Sequence, residues 1–129
     1  MAILSHVLEH VEFPRYLLRE LKRISKRQII EVPREYHHNI DKNMDHYLSY
    51  GHISVYTPSL LRFLLKSEGF EIISEKKAFY SKEILQFHSK TFIKKMKVNI
   101  FIFIRNIAFR ILPKWRTDTM INSYTVLTK

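Results

Sequence analysis

The stretch at residues 3–33, ILSHVLEHVEFPRYLLRELKRISKRQIIEVP, decides the fold. Its opening, residues 3–8, is a short apolar run broken by Ser5 and His6 and soon followed by Pro14, too short for a helix and suited to a buried strand ending in a polar loop. Pro14 fits the first turn of a helix, where its missing N–H costs nothing, and Leu17, Leu18, Leu21 and Ile24 then recur at helical spacing, with Arg15, Arg19, Glu20, Lys22 and Arg23 outside. Gln28, Ile29, Ile30, Glu31 and Val32 read as a second strand, stopped by Pro33, which cannot donate to a sheet ladder. A strand, a helix and a strand in this span predict a right-handed crossover unit of a parallel sheet.

Working outward, residues 34–53 are polar and rich in His and Asn, which predicts an irregular loop over the crevice where open α/β sheets bind ligands. Thr57 followed by Pro58 is a strong helix start, a hydroxyl N-cap before proline at the first helical position. Leu60, Leu61, Leu64 and Leu65 supply a buried face until Gly69 offers a left-handed cap, so the helix is expected over residues 58–68. β-Branched and aromatic content predicts a third strand beginning at residues 70–75 and a fourth at 123–128, paired with each other. Residues 82–112 between them read as a helical insertion, one long helix or two, with a narrow polar stripe at Lys95, Asn99, Asn106 and Arg110.

At 129 residues and 46% hydrophobic content the chain is at most one domain, with ample apolar material for a core. The absence of cysteine excludes a disulfide framework, a thiolate metal site and a cysteine nucleophile, and together with an amino terminus lacking a signal-peptide pattern it makes the cytoplasm the expected location. Most of the net charge of +10 comes from Lys82, Lys90, Lys94, Lys95, Lys97, Arg105, Arg110, Lys114 and Arg116, opposed between residues 82 and 116 by Glu83 alone. Such a segment suits a lid, an interfacial helix on an anionic membrane through Phe101, Phe103 and Phe109, or, less well, nucleic acid, for which no recognition motif is present. Gly occurs only at positions 51 and 69, so a glycine-rich turn bringing backbone N–H groups to a nucleotide or carboxylate cannot be built from this chain.

Four strings in order, SHVLEHV at residues 5–11, LLRELKRI at 17–24, GHISVYTP at 51–58 and SEGFEII at 67–73, resemble the second half of a class I S-adenosylmethionine-dependent methyltransferase of Rossmann-like fold. The resemblance spans nearly the whole chain. It implies an α/β fold, the carboxy-terminal half of the sheet: two parallel strands with crossover helices, an antiparallel carboxy-terminal strand pair, and a helical insertion. Residues 1–81 and 120–129 would carry the sheet and crossover helices, and 82–116 a basic helical insertion or lid. It also implies methyl transfer from S-adenosylmethionine to a small-molecule, lipid-like or glycan-like acceptor in the complete protein. The glycine-rich cofactor loop would lie in a missing amino-terminal half or a complementary chain, leaving this chain inactive alone.

By the same resemblance, Ser5 and His6 would lie beside the cofactor, with Tyr50 and His52 facing the acceptor. His6, His10 and His52 are the general-base candidates, since imidazole titrates near neutral pH. No metal is expected. The alternative ligand set is Glu9, His10 and His52, three positions of an E-x-x-E-H and later His pattern carried by some methyltransferases of this class; His6 stands in place of the first Glu and favours a softer ion over magnesium. His37, His38 and His46 match no closed metal-site spacing and are read as solvated, with Tyr36 and Tyr47 as further acceptor partners. The competing function is a non-catalytic methyltransferase remnant that binds a membrane surface or a protein partner through its basic helix.

Overall fold

The computed structural model describes residues 1–35, 40–87, 91–113, 118 and 121–129. Tyr36, His37, His38, Lys90, Lys114 and Arg116 lie outside the described residues. Two compact units are distinguished, one of residues 1–78 with 122–129 and a second of residues 79–121.

The first unit is a mixed α/β layer. Strand β1 (Ala2–Ser5) pairs in parallel with β2 (Gln28–Pro33), joined through helix α1 (Pro14–Ile24). Strand β4 (Ser123–Thr128) pairs antiparallel with β2 on one side and with β3 (Ile72–Ala78) on the other, for a four-stranded order β1-β2-β4-β3. The parallel pair, the antiparallel carboxy-terminal pair and the crossover helices are those expected from the sequence.

Several boundaries differ. The first strand ends at Ser5, not at residue 8, because His6 turns into the left-handed region at φ 53° and Leu8–His10 form a 3-10 turn. The third strand begins at Ile72, with a bulge between Ile72 and Ser74, since Phe70 is drawn into the turn after the preceding helix by a bond from its N–H to the Leu65 carbonyl. The expected irregular loop contains a 3-10 turn at Ile40–Asn43 and helix α2 (Met44–Ser49).

The core lies on one face of the sheet. Leu4, Ile30, Val32, Tyr124 and Val126 are buried there, with Leu18 and Leu21 of α1 and Leu61 and Leu65 of helix α3 (Pro58–Ser67). Thr57 caps α3 as its sequence predicts, accepting from the Leu60 N–H at 3.2 Å. Ile24 and Leu60, placed by periodicity on the buried faces, are instead mostly exposed, because a helix this short turns only about 100° of its surface to the sheet. Two polar side chains of the core match each other and the backbone: the Thr128 hydroxyl donates to the Gln28 side-chain oxygen at 2.9 Å, and the Gln28 amide donates to the Ser25 carbonyl.

α1 and α3 are clamped at one end. Glu68, its side chain only 6% exposed, accepts from Arg19 at 2.7 Å and from Arg15, while the Lys22 ammonium donates to the Gly69 carbonyl at 2.6 Å. Gly69 takes φ 74°, a left-handed helix end at which a side chain would also crowd that ammonium at 3.0 Å. Hydrogen bonds from Arg19 and Arg15 hold the Glu68 carboxyl at about 2, below its ordinary 4.5. A depressed acid stabilises the fold above its unfolded pKa and loses that contribution as pH falls through the folded one. Thermal melts of Glu68→Gln should therefore show a flatter loss of stability than wild type between pH about 4.5 and about 2; parallel curves would mean the clamp contributes nothing.

β1 is an edge strand. The N–H groups of Ala2 and His6 donate to the Arg27 and Glu31 carbonyls of the β2 side, so the alternate main-chain groups of Ile3 and Ser5 face away from the sheet, and the Ile3 side chain is 65% exposed.

The second unit contains helix α4 (Lys82–Phe87) and helix α5 (Phe92–Ile111). The Gln86 amide donates to the Asn99 side-chain oxygen at 3.0 Å, linking the two, and Phe79 sits edge-on to Phe109 at 5.1 Å with Arg105 over its ring at 4.3 Å. No helix among the described residues is long and apolar enough to cross a membrane.

Candidate functional site

Beyond the carboxyl ends of β1 and β2, three loop segments meet. The 3-10 turn after β1 brings Glu9 and His10 to the Gly51–Ser54 segment, whose Ile53 and Ser54 N–H groups both donate to the Glu9 carbonyl, at 2.8 and 3.1 Å. The segment after β2 adds Glu35. Gly51 adopts φ 74°, and since an added Cβ would meet nothing closer than His10 at 3.6 Å, the backbone conformation and not space is what requires glycine. Behind the loops, the buried Tyr56 hydroxyl reaches the Leu8 carbonyl at 3.5 Å, and burial pushes its phenol above the usual value.

The histidine tautomers follow from their partners. His10 Nδ1 lies 3.0 Å from the Gly51 carbonyl and His52 Nδ1 2.7 Å from the Glu35 carboxylate; both partners only accept, so each Nδ1 carries its proton and donates. The Nε2 of each ring has no hydrogen bond among the described residues and can take a proton or bind a cation. The two rings meet edge to face at 4.6 Å, and Tyr50 adds a third ring 6.1 Å from His52.

Glu9 is the electrostatic peculiarity of the site. Its side chain is 1% exposed, and neither carboxylate oxygen has a hydrogen-bond partner among the described residues. His6 Nδ1 at 3.5 Å and His10 Nε2 at 3.9 Å are its nearest cationic candidates, both beyond good hydrogen-bond distance. A carboxylate buried without donors is costly, so a positively charged group beside it would be stabilising. One ligand atom each from Glu9, His10 and His52 lies within 4.8 Å of the others.

The structure thus brings together His6, Glu9, His10, Tyr50 and His52. Ser5 is near by chain and is engaged, its hydroxyl donating to the Glu31 carboxylate at 3.0 Å. His46 holds its ring edge to face 4.8 Å from Tyr50. Glu35, the residue that orients His52, escaped the sequence reading because it stands in a polar stretch with no periodicity; its place just past a strand-ending Pro33 was the only signal.

No protein-family model matches the chain, and no curated protein matches it in sequence. Solved structures do. A SAM dependent methyltransferase from Archaeoglobus fulgidus superposes with TM-score 0.52 and 20% identity over 98% of this chain and 57% of its own, and the [4+2]-cyclase SpnF with TM-score 0.51 and 14% identity over 99% of this chain and 49% of its own. A third, from Bacillus halodurans, has TM-score 0.48, with 14% identity over 98% of this chain and 64% of its own. On the first two likenesses the chain has the fold of part of a Rossmann-like methyltransferase domain. It spans about half to two-thirds of the three structures' lengths. The pairing of a methyltransferase with a cyclase shows that this fold does not by itself set the reaction.

Proposed function

We propose that this chain supplies the acceptor side of a methyl-transfer site that uses S-adenosylmethionine, acting on a small-molecule, lipid-like or glycan-like acceptor. A further polypeptide segment would complete the sheet along β1. The observation that carries this reading is the meeting of His10, His52, Glu35 and Tyr50 beyond the ends of two parallel strands, where open α/β sheets place their ligands. The open main-chain edge at Ile3 and Ser5 supports a companion segment.

On this reading the described residues would not make a cofactor pocket by themselves. Both glycine N–H groups are already bonded, Gly51 to the Leu48 carbonyl at 2.9 Å and Gly69 to the Lys66 carbonyl at 3.0 Å, so neither can cradle a carboxylate or a ribose. Ser5 and His6 would form one wall only. What this chain contributes is proton handling: the acceptor's proton passes to the Nε2 of His52, whose ring Glu35 holds in one tautomer, with His10 as the neighbouring base and His6 as the third candidate. Tyr50, 62% exposed, offers a ring and hydroxyl to the acceptor. Residues 82–116 serve as an insertion in this domain.

Calorimetric titration provides the test. S-adenosylmethionine is expected to bind this chain with no measurable heat, and to bind a polypeptide extended by the coding sequence upstream of Met1 with micromolar affinity, about −8 kcal/mol. Tight binding by the chain alone would remove the companion segment, and an extended form that neither binds nor contains a glycine-rich turn would remove methyl transfer.

A second reading is favoured by one specific observation, the buried Glu9 carboxylate, without a hydrogen bond among the described residues, lying with His10 and His52 so that one ligand atom of each is within 4.8 Å of the others. Here Glu9, His10 and His52 hold a divalent ion of zinc-like softness. Zinc bonds of about 2.0–2.2 Å to oxygen and nitrogen require these atoms to draw in by roughly an ångström, within reach of side-chain rotation. Glu35 would then be the outer carboxylate orienting a metal-binding imidazole.

A further inference from the structure

Helix α5 carries two largely apolar faces, and among the described residues only one of them is covered. Val98, Ile102, Arg105 and Phe109 share a face that is partly buried, held by the ring of Phe79 and flanked by the link from Gln86 to Asn99. The other face is a continuous stripe of Ile93, Met96, Ile100, Ile104, Ile107 and Ile111, spaced at three, four and seven residues, each between 42 and 75% exposed. Phe103 borders it on one side. Over 20 residues the stripe is about 30 Å long. An exposed apolar strip of that length is unusual on a soluble surface and marks a place of contact.

Charge identifies the occupant. No acidic residue lies in α5; Lys97 borders the stripe on one side and Arg110 on the other, with Lys94 further round toward the Arg105 face, all exposed. Long basic side chains beside an apolar strip can lie along it and send their charges upward to an anionic headgroup layer while the isoleucines enter the acyl boundary. A protein partner would be expected to meet such lysines with acidic residues of its own, and nucleic acid would leave the isoleucines unsatisfied.

We propose that the stripe of α5 lies in the plane of an anionic lipid bilayer, half-immersed and not spanning it, with Lys94, Lys97 and Arg110 on headgroup phosphates and carboxylates. This surface differs from the one anticipated from sequence. Phe109 belongs to the covered face against Phe79, and the lipid-facing residues are mainly isoleucines. The inference stands independently of the methyl-transfer reading.

Vesicle co-sedimentation of the full chain tests it. Binding is expected to phosphatidylcholine vesicles containing about 30% phosphatidylserine, at least about tenfold weaker to phosphatidylcholine alone, and weakened by about 0.5 M salt. The triple variant Ile100→Ser, Ile104→Ser, Ile107→Ser should lose about 100-fold or more of the binding while keeping its circular dichroism, because these side chains touch solvent already. Lys94→Glu with Lys97→Glu should lose the preference for anionic vesicles and keep the fold. Three results would overturn the proposal: no binding to anionic vesicles, undiminished binding by the serine variant, or a wild-type dimer that dissolves in the serine variant without any vesicle binding, which would make the stripe a contact between copies.

Discussion

Leu61→Ala is expected to destabilise the chain by about 3 kcal/mol, in the range found for leucine cavities in fully buried sites. Leu61 is 0% exposed on the sheet-facing side of α3, sharing the core with Leu65, Leu18 and the inner residues of β2 and β4. Truncation there removes buried methyl groups and leaves a hole that the β2 and β4 backbone, locked in a ladder on both sides, cannot close. For a chain of this length, thermal unfolding should begin about 10 °C lower. Leu60 next to it is 54% exposed, and Leu60→Ala should change stability by no more than about 0.5 kcal/mol. Denaturant titration of the pair is a test of which α3 face meets the sheet; equal losses would mean that the helix is rotated from the orientation described.

Glu9→Gln should act in two directions at once. Removing a negative charge that is 1% exposed and has no hydrogen-bond donor relieves desolvation, so the metal-free variant at pH about 8 is expected to be more stable than wild type by about 1 kcal/mol, the usual sign when an uncompensated buried charge is neutralised. The same change removes the one anionic ligand of the Glu9, His10, His52 group, and affinity for Zn²⁺ should fall about 100-fold or more. Thermal melts in chelator and calorimetry with Zn²⁺ separate the two effects. Unchanged zinc affinity would dismiss the metal reading. A loss of stability would show that the Glu9 carboxylate makes a favourable contact with His6 or His10.

Such opposition between stability and ligand binding is what a site built on buried charge would produce. His6 adds to it. As the non-glycine residue held at positive φ, 53°, it turns the chain sharply off β1 and so presents Glu9 and His10 to the Gly51 segment.

How much of this was legible in the sequence depends on how local the cause is. Pro14 and Pro58 at helix starts, the hydroxyl of Thr57, Gly69 at φ 74° and the β-branched run stopped by Pro33 act within a turn or a strand. A strand, helix and strand so delimited leave a parallel pair as the outcome. The antiparallel pair followed from composition in the same way, and the histidine candidates were legible as residue types at the expected strand end. What no local pattern held was convergence. Glu35 meets His52 across a 17-residue separation and His10 meets Gly51 across 41, because sheet register and the turn at His6 bring the loops together. Periodicity placed Leu60 and Ile24 inward and the tertiary structure reversed both, while Phe109, one of the aromatic residues offered for a membrane interface, packs on Phe79: which part of an apolar helix surface is buried depends on where its neighbours stand.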